Sequence, residues 1–372
     1  MTATPMTRSR PIALAAGGTG GHMFPAEALA QELIARGHQV VLVTDRRGGA
    51  FGGRLAAVAV HRVHAAGVLG KTVAERAKAA VLLSVGLVQA LWLLARLKPA
   101  VVVGFGGYSS VPTVLAAHRV RLPTVLHEQN AVLGRANRWL APRARTLAVA
   151  FAGTQGVRDA DQAKLVHTGN PVRGAVIALR SRRYAPPEPG GALRLLITGG
   201  SQGARVFADV VPPAIASLPK DMRARLEIKH QCRPEDIERT ALGYREAEVR
   251  YEVAAFFKDM PERLARAHLG ICRAGASTIA ELTVAGLPAI LVPLPSAADD
   301  HQTVNARLTE AAGAAWMMAQ SDFTPPALAR RLFELLRAPE RLTAASAAAH
   351  AASMPDAAQR LADVVQGAEA AA

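Results

Sequence analysis

The sequence predicts an α/β protein built from two doubly wound parallel sheets. An apolar run at residues 12–16 leads directly into the loop GGTGG and then into an amphipathic segment. A second apolar run at residues 193–198 leads into the loop GGSQGAR in the same way. Short β-rich runs alternate with longer helical segments on both sides of residue 172, which is typical of two open parallel sheets with helices on their faces.

Each predicted strand is a short run, and most of these runs are rich in Val, Ile, Leu and Thr. The runs in the first half are residues 12–16, 40–44, 101–104, 124–127 and 146–150. The runs in the second half are residues 193–198, 226–230, 249–253, 269–272 and 289–292. The intervening segments are long enough for the crossover helices that parallel strands require.

The composition places the domain boundary near residues 170–173. The stretch RSRRYAPPEPGG at residues 180–191 is dense in proline, glycine and charge, which is typical of an exposed linker or surface loop. A chain of 372 residues is also long for one domain. We therefore predict an N-terminal domain of residues 1–172 and a C-terminal domain of residues 173–349.

Positive charge is concentrated in the first half of the chain. Residues 1–170 contain 20 lysines and arginines against 7 acidic residues, whereas the remaining residues contain 24 against 22. Such a field favours an anionic partner, either nucleic acid or the anionic cytoplasmic leaflet of a membrane. Aromatic residues make up only 4% of the chain and no nucleic-acid-binding motif is present, so we expect no nucleic acid partner.

Cysteine usage and the glycine loops argue against several kinds of cofactor. Cys232 and Cys272 belong to no CxxC or Cys/His cluster, so neither a disulfide framework nor a metal site is predicted. Neither glycine loop fits GxGxxG with an acidic residue at the usual offset, which disfavours a nicotinamide cofactor. From these two observations we expect that the protein needs no cofactor. The first eleven residues lack the apolar core of a secretory signal, so we expect a chain that stays in the cytosol.

Residues 79–95 form a stretch of 17 residues without a charge, flanked by basic residues on both sides. This is just short of the ~20 residues that a membrane-spanning helix needs. The alternation of strands and helices requires a crossover helix here, packed on its sheet. The alternative, which is compatible with it, is a helix that packs one side on the sheet and offers the other to lipid.

The first glycine loop is followed at once by His22. Glycines let the backbone approach a ligand, and N–H groups at the start of the next helix can hold a phosphate. An imidazole beside such an anion site, at the carboxyl edge of a parallel sheet, suits a general base. The alternative is a tight turn in which His22 is only a residue at the start of the helix.

Three further segments carry polar or flexible residues after a predicted strand. The segment GFGGYSS at residues 104–110 predicts an anion-tolerant turn with hydroxyl groups. The segment HEQN at residues 127–130 places four polar side chains in one turn, either for ligand binding or for capping. In RAGASTIAE at residues 273–281, the helix start can face a diphosphate while Glu281, near the end of the first turn, reaches a ribose. Glutamate there also simply stabilises a helix.

Taken together, the motifs resemble the MurG family of N-acetylglucosaminyltransferases, which convert lipid I to lipid II in peptidoglycan synthesis. Seven segments match in order: GGTGGHMFPAEALA, GFGGYSSVP, HEQN, GNPVR, GGSQGA, RAGASTIAE and DDHQTVNA. The resemblance implies the GT-B glycosyltransferase fold, with two Rossmann-like domains facing across a cleft. It places lipid I and the membrane on the N-terminal domain and UDP-N-acetylglucosamine (UDP-GlcNAc) mostly on the C-terminal domain. It also implies that the last helix, about residues 350–368, joins the N-terminal domain.

The resemblance implies a single inverting displacement that forms a β-1,4 bond and needs no obligatory metal. His22 and Glu128 are its candidates for base catalysis. The implied acceptor loop consists of Gly106, Gly107, Tyr108, Ser109 and Ser110. The implied UDP-GlcNAc ligands are Thr19, Gly20, Gly21, Asn130, Arg173, Ser201, Phe257, Ala276, Ser277, Thr278, Glu281, His301 and Gln302.

Two alternatives remain at this stage. One is a UDP-GlcNAc 2-epimerase of the same fold, which needs no lipid acceptor and no apolar stretch with basic flanks. The other is a nonenzymatic basic protein that binds a membrane. We prefer a peripheral enzyme on the cytoplasmic side of the cell membrane, because a pure binding protein has no use for two glycine loops and Glu281.

Overall fold

The computed structural model describes residues 10–18, 20–46, 55–66, 72–200 and 203–370. The chain divides into two compact units. The first comprises Met1–Arg173 together with Asp356–Ala372, and the second comprises Gly174–Pro355. Thr19 and Ser201, two of the predicted ligands, lie outside the described residues.

Two parallel sheets form the framework, one in each unit. The strands of the first sheet are β1 (Ile12–Ala15), β2 (Val40–Thr44), β3 (Ala59–Arg62), β4 (Val101–Gly104), β5 (Thr124–Glu128), β6 (Thr146–Val149) and β7 (Leu165–His167). The strands of the second are β8 (Leu193–Thr198), β9 (Leu226–Gln231), β10 (Arg250–Ala254), β11 (Leu269–Cys272), β12 (Ala289–Leu291) and β13 (Ala315–Met317). Their orders are β3-β2-β1-β4-β5-β6-β7 and β10-β9-β8-β11-β12-β13.

Helices connect the strands and complete both units. The first seven are α1 (Gly20–Ala35), α2 (Val73–Leu97), α3 (Gly107–Arg119), α4 (Arg135–Leu140), α5 (Gly174–Ile177), α6 (Arg205–Ala216) and α7 (Lys220–Arg223). The other seven are α8 (Ile237–Glu246), α9 (Met260–Arg266), α10 (Ala276–Ala285), α11 (His301–Ala311), α12 (Pro325–Leu336), α13 (Pro339–Ala352) and α14 (Ala357–Ala370). The prediction of an α/β protein with two doubly wound parallel sheets is confirmed.

The first unit buries its central strands on both faces of the sheet. All four residues of β1 and of β4 are buried, as expected for parallel strands covered by helices on both sides. The last helix, α14, packs Leu361 and Val365 into the core that β1 and α1 share. Arg36 at the end of α1 fixes this helix, because its guanidinium donates to Asp363 and Gln366 at 2.6 Å each.

The second unit repeats the plan around β8 and β11. Its main core joins β8, β9 and β11 to α6, α8 and α12, with the fully buried Phe207 and Tyr244 among its largest side chains. The Tyr244 hydroxyl forms a hydrogen bond of 2.8 Å with Nδ1 of the buried His230. Burial lowers the pKa of His230 to about 3, although the nearby charge of Asp236 opposes this shift.

Three strands were not predicted from the sequence: β3, β7 and β13. Each is three or four residues long and lies at an edge of its sheet. Edge strands bury fewer side chains, so β3 (AVHR) and β7 (LVH) lack the continuous apolar run that marks a central strand, whereas β13 (AWM) is apolar but only three residues long.

Helix α2 contains the uncharged stretch and has two unlike faces. One face is buried against the rest of the unit and includes Ala90, Leu93 and Leu94. Gly86 on this face lies so close to the chain after β3 that a Cβ there would be 1.8 Å from the backbone oxygen of His64. The opposite face carries an exposed apolar stripe, spaced by four, three and four residues: Val81, Val85, Val88 and Trp92.

By length and composition, α2 is also the one helix among the described residues that could cross a membrane. Its most apolar 18 residues have a mean hydropathy of 1.9. Because its buried face packs against α3 and the chain after β3, it serves as the crossover helix between β3 and β4. The predicted crossover helix, and the predicted helix with only one side packed on the sheet, are therefore the same helix, α2.

Candidate active site

Both sheets reverse their strand order beside their first strand, between β1 and β4 in one unit and between β8 and β11 in the other. Ligands of open α/β sheets bind outside the carboxyl ends of the strands at such points. In the first unit, the loops after β1 and β4 contain Gly17 and Gly106. In the second unit, the loops after β8 and β11 contain Gly199 and Gly275.

His22 lies in the first turn of α1 and is half-buried. Its Nδ1 lies 2.9 Å from the side-chain oxygen of Gln129. Its Nε2 is close to the second glycine loop, since a Cβ built on Gly107 would lie 3.2 Å from it. Gly107 has a φ of +67°, a backbone conformation that favours glycine, and the nearby ring of His22 also leaves little room for a side chain at this position. The fold thus brings together the loops after β1, β4 and β5 around one imidazole.

Glu128, the other predicted base, is buried and uses both oxygens to hold the loop after β5. Oε1 accepts hydrogen bonds from the backbone and side-chain nitrogens of Asn130 at 3.0 and 3.1 Å. Oε2 accepts from the backbone of Gly134 and from the side chain of Asn137, both at 2.9 Å. A carboxylate has about four acceptor positions, and all of those on Glu128 are occupied.

The predicted acceptor loop, residues 106–110, forms the start of α3, and three of its five residues are buried. Ser109 and Ser110 are buried, and the Ser110 hydroxyl donates to the Gly107 oxygen at 3.0 Å. Both hydroxyls lie in the first turn of α3, and the role of this loop in binding the acceptor stays a prediction. Gly107 and Tyr108 are only half-buried, whereas Gly106 is buried and supplies the cap of the helix.

The GNPVR segment closes the carboxyl edge of the first sheet after β7. The guanidinium of Arg173 lies 4.9 Å from the centre of the Phe24 ring, and its charge opposes the burial that raises the pKa of Glu27. Asn170 is buried, and neither its amide oxygen nor its amide nitrogen has a hydrogen-bond partner. Sequence reasoning did not single out Asn170, because asparagine before proline is equally common in plain turns.

In the second unit, the loop after β8 is held by two side chains from neighbouring strands. Thr198 donates to the Gln231 side-chain oxygen at 2.7 Å and accepts from the Gly200 backbone at 3.2 Å. Gln231 in turn donates to the Gly200 oxygen at 3.2 Å. Helix α6 follows, and its cap residue Ala204 offers no side chain to the first N–H groups.

Helix α10 begins at Ala276, directly after a turn anchored from two sides. Arg273 donates to the backbone oxygens of Val292 and Pro293, and burial lowers its pKa to about 10. Gly275 caps the helix without a side-chain hydrogen bond, so the N–H groups of Ala276, Ser277 and Thr278 are not capped from that position. Glu281 is half-buried in the second turn, not the first, because the helix starts only at Ala276.

His301 and Gln302 begin α11, and each is fixed by one backbone contact. Nδ1 of His301 donates to the Ala298 oxygen at 2.7 Å, and Oε1 of Gln302 accepts from the Leu294 backbone at 3.0 Å. Asp300 precedes them at the cap position, and its side chain accepts from the Thr303 hydroxyl and not from a helix N–H group.

Phe257 is buried in the segment between β10 and α9. The guanidinium carbon of Arg263 lies 3.7 Å from the centre of its ring. Arg263 also donates to both oxygens of Glu252, at 2.8 and 2.9 Å, and the pKa of Glu252 is lowered to about 2 by these bonds and by Lys229. These contacts hold the backbone around Phe257 in place.

The described part of the chain has candidate metal ligands and thiols among its His, Cys, Asp and Glu side chains. It contains no group of three or more His, Cys, Asp or Glu side chains placed to hold a metal ion. Cys232 and Cys272 are buried free thiols. Burial raises the pKa of both, to about 12 for Cys272, so neither is a reactive thiolate at neutral pH.

Comparison with known proteins identifies the family. The N-terminal domain of glycosyltransferase family 28 matches residues 12–149, and its C-terminal domain matches residues 194–361. The chain belongs to glycosyltransferase family 28. It is 59% identical over 358 residues to a Rhodospirillum centenum protein named UDP-N-acetylglucosamine--N-acetylmuramyl-(pentapeptide) pyrophosphoryl-undecaprenol N-acetylglucosamine transferase, covering 96% of this chain and 94% of the relative.

Solved structures agree with this membership of family 28. The chain superposes on MurG from Acinetobacter baumannii with a TM-score of 0.76 and 32% identity, over 96% of this chain and 99% of the other. The GT-B fold and the resemblance to the MurG family are confirmed. A Listeria monocytogenes protein described as a UDP-N-acetylglucosamine 2-epimerase superposes with a TM-score of 0.68 over 98% of both chains, but at 14% identity, which shows the shared fold alone.

Proposed function

We propose that this family 28 member transfers N-acetylglucosamine from UDP-GlcNAc to the C4 hydroxyl of the muramoyl sugar of lipid I. The products are lipid II, through a β-1,4 bond, and UDP. The observation that carries this proposal is the 59% identity to a transferase of that name over almost the whole chain. It gives the protein a place in peptidoglycan synthesis.

We propose His22 as the general base. An alcohol is a poor nucleophile, and a positioned base is typically worth ~10² to 10⁴ in rate. Histidine can accept a proton near neutral pH. The contact of His22 Nδ1 with Gln129 leaves Nε2 as the nitrogen on the side of Gly107, in the loop assigned to the acceptor. The four hydrogen bonds on Glu128 favour a structural role for that carboxylate instead.

The second unit supplies most of the proposed donor site. N–H groups of the loop that contains Ser201 and of the start of α10, from Ala276 to Thr278, would stabilise the negative charge on the leaving diphosphate. Glu281 would accept hydrogen bonds from the ribose, and the backbone at Phe257 would contact uracil. His301 and Gln302 would contact the transferred sugar.

The first unit supplies the remaining proposed contacts. Thr19, Gly20 and Gly21 approach the sugar and the diphosphate, and Asn130 binds the sugar. Arg173 would face the phosphates, which suits a guanidinium held over the Phe24 ring. Tyr108 and the backbone of Gly107 remain as the accessible part of the acceptor loop.

We further propose that the first unit docks on the anionic cytoplasmic leaflet as a peripheral protein. The exposed stripe of α2 offers Trp92 and three valines to the lipid interface, and Trp92 is 64% exposed. Basic residues flank the stripe, and Arg96 lies 5.6 Å from the Trp92 ring. An apolar face ringed by positive charge is typical of helices that lie in an anionic membrane surface.

Incubation with UDP-GlcNAc and a soluble lipid I analogue tests the reaction. We expect release of UDP and a disaccharide product by mass spectrometry. The His22→Ala variant should retain UDP binding and lose ~10² or more in kcat. His118→Ala, an exposed histidine on α3, is the matched control and should keep full activity.

The outcomes separate the two levels of the proposal. A wild-type protein that releases no UDP from this pair would contradict the assigned reaction. Activity of His22→Ala within a few-fold of wild type would leave the reaction intact and transfer the base role to another residue.

A further inference from the structure

A chain of hydrogen bonds behind His22 begins at a backbone carbonyl. Nε2 of His127 lies 3.0 Å from the Gly169 oxygen. A carbonyl oxygen only accepts, so this nitrogen carries a hydrogen. His127 is fully buried, and burial lowers its pKa to about 4, which keeps the ring neutral at pH 7. A neutral ring has one hydrogen, so Nδ1 of His127 is an acceptor.

The side-chain amide of Gln129 has only one orientation that fits these neighbours. Its nitrogen lies 2.9 Å from Nδ1 of His127 and 3.1 Å from each of the backbone oxygens of Phe105 and His127. All three partners accept hydrogen bonds. A flipped amide would place its oxygen against three acceptors, at the cost of leaving buried groups unpaired. The amide oxygen therefore faces His22.

The amide oxygen determines which nitrogen of His22 carries the hydrogen. It lies 2.9 Å from Nδ1 and can only accept, so Nδ1 donates. Neutral His22 then has its lone pair on Nε2, the nitrogen that faces Gly107. Free histidine prefers the opposite tautomer, with the hydrogen on Nε2, in which this nitrogen could not accept a proton.

We propose that Gln129 is a positioning residue that holds His22 in the tautomer competent to act as a base, and that His127 orients Gln129. The inference rests on the proposed role of His22. It gives distinct tasks to neighbouring residues of the HEQN segment: His127 anchors the amide, Glu128 shapes the loop, and Gln129 selects the tautomer. A second group that fixes the tautomer of a catalytic histidine is a general device in enzymes, where the wrong tautomer can cost up to ~10⁴ in rate.

The tautomer can be measured directly on the full chain. In protein labelled with ¹⁵N-histidine at pH 7.5, the ring nitrogens of His22, assigned by their loss in His22→Ala, should show Nδ1 protonated and Nε2 bare. In Gln129→Met, which keeps the length of the side chain but removes the acceptor, the signals should shift toward the form protonated at Nε2. Gln155→Met, at an exposed glutamine of the same unit, is the matched control.

Kinetics separate positioning from a merely structural effect. Gln129→Met should lower kcat about tenfold or more while the KM for UDP-GlcNAc stays within about twofold. A wild-type spectrum with the hydrogen of His22 on Nε2 would overturn the inference. An unchanged kcat in folded Gln129→Met would also overturn it.

Two controls keep the inference distinct from the proposed reaction. If Gln129→Met does not fold, the wild-type spectrum alone decides on the tautomer. If wild-type protein releases no UDP, the proposed reaction fails, whereas the spectra still support or refute the hydrogen-bond chain.

Discussion

Replacing Glu128 by glutamine distinguishes a structural carboxylate from a base. The carboxylate accepts two hydrogen bonds at each oxygen, all between 2.9 and 3.1 Å. The amide nitrogen of glutamine would face two donors whichever way it turned. Two hydrogen bonds to a charged acceptor would be lost, at ~1.5 to 3 kcal/mol each. We therefore expect the free energy of unfolding to fall by about 3 kcal/mol or more.

Thermal unfolding by circular dichroism measures this loss. For a unit of this size, about 3 kcal/mol corresponds to a decrease in Tm of roughly 6 °C or more. Because the chain has two units, calorimetry should resolve whether the affected transition belongs to the first. Asp159→Asn, an exposed carboxylate in the same unit, is the control and should change stability by no more than about 0.5 kcal/mol.

Activity of the same variant completes the test. If Glu128 only shapes the loop, the folded fraction of Glu128→Gln should keep a pH profile of kcat like that of wild type. A Glu128→Gln protein with unchanged Tm and a kcat lowered ~10² or more would refute this reasoning and assign the base to Glu128.

Three other predictions concern the donor, the membrane and pH. Glu281→Ala removes a charge-assisted hydrogen bond to the ribose, ordinarily ~1.5 to 3 kcal/mol, so the KM for UDP-GlcNAc should rise at least about tenfold; the exposed Glu246→Ala is its control, and an unchanged KM would restrict Glu281 to stabilising α10. The protein should co-sediment with anionic vesicles more than with neutral ones and be partly released by salt. The double variant Val88→Ser, Trp92→Ser should bind these vesicles more weakly and keep its Tm, whereas the exposed control Val120→Ser should bind them as wild type does. Vesicle binding that does not depend on lipid charge would contradict peripheral docking. Burial lowers the pKa of His127, His230 and His268 from 6.5 to about 4, 3 and 4. The unfolded chain therefore binds protons below pH 6.5 that the folded chain does not, and urea midpoints should fall between pH 6.5 and 4; midpoints constant over that range would count against these buried neutral rings.

The central strands and the glycine loops could be predicted from the sequence because their signals are local. A strand such as β4 is buried on both faces, so every residue in it is apolar. The loops after β1 and β8 are marked by glycines that directly follow such runs. These local patterns were sufficient to place His22 and Glu281 at the carboxyl edges of their sheets.

The two faces of α2 were decided only by tertiary structure. Its sequence is uncharged over 17 residues, and nothing within the stretch distinguishes the inner from the outer side. Packing does: Gly86 allows a close approach to His64, and Gln89 accepts from the His64 backbone at 2.9 Å. Leu93 is consequently buried while its neighbour Trp92 is exposed.

The division of labour within HEQN likewise required the folded chain. The sequence shows four adjacent polar residues, any of which could bind a ligand or cap a turn. The partners that separate them come from distant segments: Gly169 for His127, Phe105 and His22 for Gln129. The sequence thus determined which residues lie at the edge of the sheet. Tertiary structure determined which nitrogen of His22 is without a hydrogen, because the direction of each hydrogen bond depends on all the partners in the series from Gly169 to His22.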